Sequence, residues 1–160
     1  MSNNFLIKTP CIGICSTTYG DEICRGCKRF SHEVTSWIKY SDEEKDNVNR
    51  RLQSFKKLIL SEKFLISDKN LLKKSLDEAK IMYNEKLEPI CWLFDLLRAV
   101  SQDSLDLSSF GIKVKESYSE NTLSDLKDLI NKEFFELSSA HYLSLIHISE
   151  PTRRRGISYA

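Results

Sequence analysis

Apolar residues recur every three or four positions along most of the chain. Val48, Leu52, Phe55 and Ile59 are spaced four, three and four apart, which puts them on one face of a helix. Ser41-Asp42-Glu43-Glu44 precedes them. A serine three residues ahead of a glutamate can satisfy two orphan amides of a first helical turn, so the helix is predicted to start there. Ser31 is expected to cap a shorter helix carrying Val34, Trp37 and Ile38. A longer pattern starts near Lys69 and carries Leu72, Leu76, Ala79, Met82 and Tyr83. Pro89 ends it, because a proline pushes the preceding residue out of helical geometry. The stretch 89–100 is almost wholly apolar, with Ile90, Trp92, Leu93, Phe94, Leu96 and Leu97, and is the predicted core of a second lobe. Thr122 or Ser124 opens a last helix with Leu126, Leu129, Ile130, Phe134 and Leu137 facing inward. Residues 61–68 read as a connector and 101–109 as a polar loop. Residues 110–114 read as a short strand or an extended segment.

The stretch 9–29 has no such periodicity. It holds four of the five cysteines and three of the five glycines. A segment this short and polar cannot bury a core and needs a staple. The spacing is Cys11-x3-Cys15, eight residues, then Cys24-x2-Cys27. Two close pairs joined by a short loop can surround one ion with four thiolates, as a tetrahedral zinc site requires. Gly13 and Gly26 sit inside the two pairs, where a tight turn calls for left-handed backbone. Arg25, Lys28 and Arg29 lie beside the thiolates and can offset their charge. Four unconnected thiols or a redox Cys24-Arg25-Gly26-Cys27 dithiol are the alternatives. The dithiol lacks the strand-then-helix context such motifs occupy. The predicted fold class is therefore mostly α. A four-cysteine metal knuckle and two short helices form a module over 9–60, and a helical lobe follows over 61–142. Residues 1–8 are expected to be a flexible lead-in.

Thr9-Pro10-Cys11-Ile12-Gly13-Ile14-Cys15, Cys24-Arg25-Gly26-Cys27-Lys28-Arg29, Glu33-Val34, Trp37 and Ser41-Asp42-Glu43-Glu44 together resemble a known family. These are the short bacterial proteins grouped as domain of unknown function 1289, labelled predicted iron–sulfur proteins. The resemblance spans about residues 9–55. It implies a four-cysteine centre, Cys11, Cys15, Cys24 and Cys27, followed by two helices. It implies no enzymatic activity and says nothing of the chain beyond residue 55. Thiolate sites accept both zinc and iron–sulfur. The spacing is not that of a ferredoxin, and the compact loop suits a single ion better than a cluster, so zinc is favoured.

The end of the chain changes the charge argument. Residues 143–153, Leu-Ser-Leu-Ile-His-Ile-Ser-Glu-Pro-Thr-Arg, resemble the translation of a sequencing adapter read through in one frame. Residues 143–160 are therefore expected to be an unstructured artefact, with the natural chain continuing differently after Tyr142. The whole chain has 24 Lys+Arg against 23 Asp+Glu, a net charge of +1. Without the tail the counts are 21 and 22, and the net charge is −1. Neither value is the basic surplus of a protein that coats nucleic acid. The cations Arg50, Arg51, Lys56 and Lys57 can still be drawn as a stripe, which keeps a small nucleic-acid-binding zinc module as an alternative. The simpler reading is a solvated helix face balanced by Asp42, Glu43, Glu44 and Asp46.

No secretory signal precedes Thr9 and no apolar run spans a bilayer, so the expected compartment is the cytoplasm and no membrane partner is expected. Reduced thiols there favour metal over disulfides. Cys91, inside an apolar helix, reads as a buried inert thiol. His32 could replace a thiolate but is expected at the surface, and His141 has no visible partner in the sequence. Glu85, Glu88 and Asp95 read as a solvated face before a catalytic set. No motif points to a small-molecule substrate. The sequence therefore predicts a non-enzymatic structural-zinc module that meets another protein. An iron–sulfur redox or oxidant-sensing protein is the alternative from another class.

Overall fold

The computed structural model describes residues 5–13, 15–100 and 105–149, with side chains to residue 146. Among them are five α-helices and one two-stranded sheet. The helices are α1 (Ser31–Ser36), α2 (Asp42–Lys63), α3 (Lys69–Glu78), α4 (Pro89–Ala99) and α5 (Leu123–Ser149). The strands are β1 (Phe64–Ile66) and β2 (Ile112–Val114).

Helix α2 starts where the box predicts. The Glu44 amide donates to Ser41 Oγ, and the Ser41 amide donates to the Glu44 carboxylate. Val48, Leu52 and Ile59 are buried and Phe55 is partly buried. Helix α4 begins with Pro89 at its first turn, where the missing N–H costs nothing. Helices α4 and α5 pack across α2. The Phe94 and Phe134 rings meet edge to face, with centroids 5.6 Å apart. Leu126, Ile130 and Phe134 point inward from α5. Its start is also boxed: the Asp125 amide donates to Thr122 Oγ1.

One apolar cluster runs from Val48 to Phe134. It crosses the boundary expected at residue 60, so the two predicted lobes share a core. Lys63, fully buried at the end of α2, reinforces the join by pairing with Glu133 of α5 at 2.9 Å.

Four expectations give way. The first concerns the connector 61–68, which contains the end of α2 and then β1. Strand β1 pairs antiparallel with β2, Phe64 opposite Val114 and Ile66 opposite Ile112. Gly111 turns the chain into β2 at φ +70°, and a Cβ there would sit 2.7 Å from the Asp68 carbonyl oxygen. The second is the length of α3, which stops at Glu78 instead of running towards Pro89. Lys80 adopts left-handed φ +58°. Its amide donates to the Asp77 carbonyl and the Ile81 amide to the Leu76 carbonyl. That pair of bonds is a Schellman ending. Met82, expected to continue the apolar side of Leu72 and Leu76, is 79% exposed.

The third is the lead-in, which is held over residues 6–8. Leu6 is buried, its amide donates to Asp46 of α2, and Asn49 Nδ2 donates to the Leu6 and Lys8 carbonyls. Residues 1–4 lie outside the described part. The fourth is the tail, where α5 continues through residues 143–149 as helix. Leu143 and Leu145 face solvent, and residues 150–160 lie outside the described part.

Candidate metal centre

The second cysteine pair sits at the tip of a small hairpin. Ile23 and Phe30 form an antiparallel bridge. Inside it the Cys24 amide donates to the Arg29 carbonyl, and the Lys28 amide donates to the Cys24 carbonyl, both at 2.9 Å. The turn closes because Lys28, immediately after Cys27, takes φ +68°. Gly26, expected to supply the left-handed residue, does not. Lys28 tolerates the conformation because its ammonium folds back onto the turn and donates to the Arg25 and Gly26 carbonyls. That bonding leaves Lys28 buried at 2% exposure, and burial lowers its pKa to about 8.

Cys24 and Cys27 are both buried. Burial alone would push the Cys24 thiol up. Hydrogen bonds from the Cys27, Ser16 and Gly26 amides and from the Cys27 side chain outweigh it, and the pKa falls to about 7. Burial also dominates at Cys27 and raises that thiol, even though Arg29 Nε donates to its sulfur at 3.3 Å. The Arg29 guanidinium stacks over Trp37 at 4.9 Å. Trp37 thus packs against the cation that contacts Cys27.

The first pair is more open. Cys11 is exposed and Cys15 is half-buried. Gly13 takes φ +94°, and its amide donates to Cys11 Sγ at 3.3 Å. This is the left-handed glycine the sequence predicts. Cys15 Sγ lies 2.9 Å from Thr17 Oγ1. The next residue, Ser16, reaches the second pair twice. Its amide bonds the Cys24 thiol, and its Oγ accepts from the Arg25 amide at 2.8 Å. Ser16 was not legible as a site residue, since an isolated serine carries no spacing signal.

Cys24 and Cys27 are therefore brought together, with Ser16, the neighbour of Cys15, bonded against them. Cys11 instead lines a separate cleft of about 240 Å³ that also contains Lys56 and Asp95. Among the described residues, no group of three or more His, Cys, Asp or Glu side chains is gathered tightly enough to hold an ion. The donor chemistry still suits a thiolate-binding metal. Amides point at sulfur in both pairs, and two cations, Lys28 and Arg29, are buried beside Cys24 and Cys27.

The hairpin is anchored through Phe30, which is fully buried. The Arg51 guanidinium lies 4.2 Å from its ring, and the Tyr142 ring lies 4.9 Å away. His141 stacks on Phe30 and meets Phe55 edge-on, so it has partners the sequence did not reveal. Glu33 caps α1 from within by accepting from the Phe30 amide. Phe30 is thus the cap position, with Ser31 the first helical residue. Ile38, expected on this helix, lies past its end at Ser36 and is 93% exposed.

The remaining candidates fall in place singly. Cys91 is fully buried, and burial raises its thiol to about 11. His32 is exposed. Glu85 pairs with Lys73, Glu88 with Lys57 and Asp95 with Arg98, which leaves no shared carboxylate site. The basic stripe is dispersed as well. Arg50 pairs with Asp46 and Arg51 with Glu33, while Lys56 lies over the Phe94 ring. Among the described residues no helix is long and apolar enough to cross a membrane.

No curated protein and no solved structure matches the chain. Residues 9–56, which hold all four cysteines, α1 and most of α2, match the family described as "Protein of unknown function (DUF1289)".

Proposed function

We propose that Cys11, Cys15, Cys24 and Cys27 bind one zinc ion in a non-enzymatic, cytoplasmic protein whose helical part meets another protein. The observation that carries this reading is the Cys24–Cys27 turn, with its left-handed residue after the second cysteine and amides donating to Cys24 sulfur. Such a turn stabilises a thiolate before any metal arrives, because hydrogen bonds to the charged form favour it. Ser16 holds the end of the first pair against that turn, and Gly13 shapes a similar amide-to-sulfur contact at Cys11. The metal would supply the folding energy that residues 9–21 lack, and its tetrathiolate charge would be met by Lys28 and Arg29. Ile38 and Met82 are large apolar side chains left in solvent, and they are the first places to look for a protein contact.

The test is elemental analysis and a visible spectrum on protein purified without oxygen. Colourless protein with one equivalent of zinc supports the proposal. Brown protein with iron and acid-labile sulfide would replace it with an iron–sulfur centre. Protein with no metal would reject both.

A further inference from the structure

A cleft of about 620 Å³ lies between the Cys24–Cys27 turn, the end of α4 and the middle of α5. Its floor is apolar, formed by Phe94, Leu97, Ile130 and Phe135. Its walls carry five cations, Arg25, Lys28, Arg98, Lys127 and Lys132, against one carboxylate, Glu136. This imbalance is local, because the whole chain carries only +1.

Three of these cations are held in place by other contacts. Arg25 pairs with Asp21 at 3.5 Å and lies over Phe135 at 4.8 Å. Arg98 pairs with Asp95 at 3.2 Å. Lys28 bonds the carbonyls of its own turn. Lys127 and Lys132 differ, since neither is in an ion pair among the described residues. Two lysines without an ion pair therefore line the same cleft as these apolar side chains.

We propose that this cleft binds a small organic anion, with one acidic headgroup on an apolar body. The headgroup would meet Lys127 and Lys132, and the body would displace water from the floor. Each half of the ligand is demanded by a different feature. An inorganic anion would leave the floor wet, and a neutral apolar molecule would leave the lysines unanswered. The size falls within the range of small-ligand sites, roughly 300–1,000 Å³. An apolar floor also strengthens attraction to a charge held above it, since local permittivity is lower than in water.

The test titrates full-length protein of constant metal content with dodecanoate by calorimetry at low salt, below the micelle concentration. The expected result is saturable one-to-one binding. Dodecanol should bind at least about tenfold more weakly, and dodecyltrimethylammonium and inorganic phosphate should not bind. Lys127→Ala/Lys132→Ala should weaken dodecanoate by at least about tenfold. Phe135→Asp should abolish binding with helical circular dichroism retained. Lys69→Ala/Lys74→Ala removes the same charge from α3, outside the cleft, and should change nothing. No binding of dodecanoate, equal binding of dodecanol, or an unchanged Lys127→Ala/Lys132→Ala affinity would overturn the proposal. None of these outcomes bears on the metal, whose content is measured separately.

Discussion

Arg51 of α2 grips Glu33 of α1 with two parallel hydrogen bonds, both at 2.7 Å, while its guanidinium covers the Phe30 ring at 4.2 Å. The side chains are 14% and 7% exposed, so this is a largely desolvated, two-pronged pair. Glu33 also accepts from the Phe30 amide. A single ion pair therefore fixes the cysteine hairpin, α1 and α2 relative to one another.

Breaking a buried pair from one side strands the other charge, at a cost of about 3–5 kcal/mol. Arg51→Met and Glu33→Gln are each expected to destabilise the protein by about 3 kcal/mol in urea unfolding. The double variant should lose less than the sum, since no lone charge remains. Single losses under about 1 kcal/mol would place the pair among solvent-screened surface bridges.

Lys80 offers a test of opposite sign. It ends α3 in the left-handed conformation, where a Cβ crowds the following carbonyl. Lys80 is exposed, and replacing it removes little packing. Lys80→Gly should raise stability by about 1 kcal/mol, and Lys80→Ala should not. Equal effects of the two would mean that the left-handed turn carries no strain.

The same residue explains why part of the fold was hidden in the sequence. Helix ends are read from glycine, asparagine or proline, and α3 ends on a lysine. The apolar spacing of Leu72 and Leu76 continues through Ala79 to Met82 and Tyr83 by composition alone, so the pattern runs past the true end. Lys28 hides the cysteine turn in the same way, because its left-handed φ depends on side-chain bonds made after folding. Elements whose signals are local were legible: the Ser41–Glu44 box, Pro89 at the first turn of α4, and the buried face of α2. Strand β1 was not, because its three residues pair with β2 almost fifty positions away. The Cys24–Cys27 pair was legible by spacing, and its place relative to Cys11 was not, since Cys11 lines a separate cleft. Ser16, Phe30 and the cleft beside α5 depend on contacts that no spacing encodes.

Cys91 gives the alkaline behaviour a sign. Its thiol is raised from 9.0 to about 11, with burial as the first cause. A group whose folded pKa is raised contributes stability that is fully present below its unfolded value, here pH 9. That stability is lost as pH rises towards 11, because the unfolded chain releases its proton first. Two pH units correspond to at most about 3 kcal/mol. Cys91→Ala should therefore flatten the fall in unfolding free energy between pH 9 and 11, whatever its effect at pH 7. Parallel curves for the two proteins would show that the thiol does not titrate differently on folding.

Metal removal should act unevenly along the cysteine module. Between residues 9 and 21, no described side chain is fully buried. From Ile23 to Phe30, by contrast, Ile23, Cys24, Cys27, Lys28, Arg29 and Phe30 are all buried, and Phe30 is wedged between Arg51 and Tyr142. Apolar burial and the Arg51–Glu33 pair can hold the hairpin without an ion, whereas the described residues of 9–21 have hydrogen bonds, the exposed Asp21–Arg25 pair and no fully buried side chain to offset the entropy of ordering them. A strong chelator should accelerate amide exchange by at least about tenfold, or 1.4 kcal/mol, at amides within 9–21. The amides of Cys24 and Lys28, bonded inside the hairpin, should change far less. Exchange rates in 9–21 that stay unchanged after the metal has demonstrably left would show that the ion does not order the arm. Equal loss of protection in the arm and the hairpin would show that apolar packing at Phe30 is too weak to act alone.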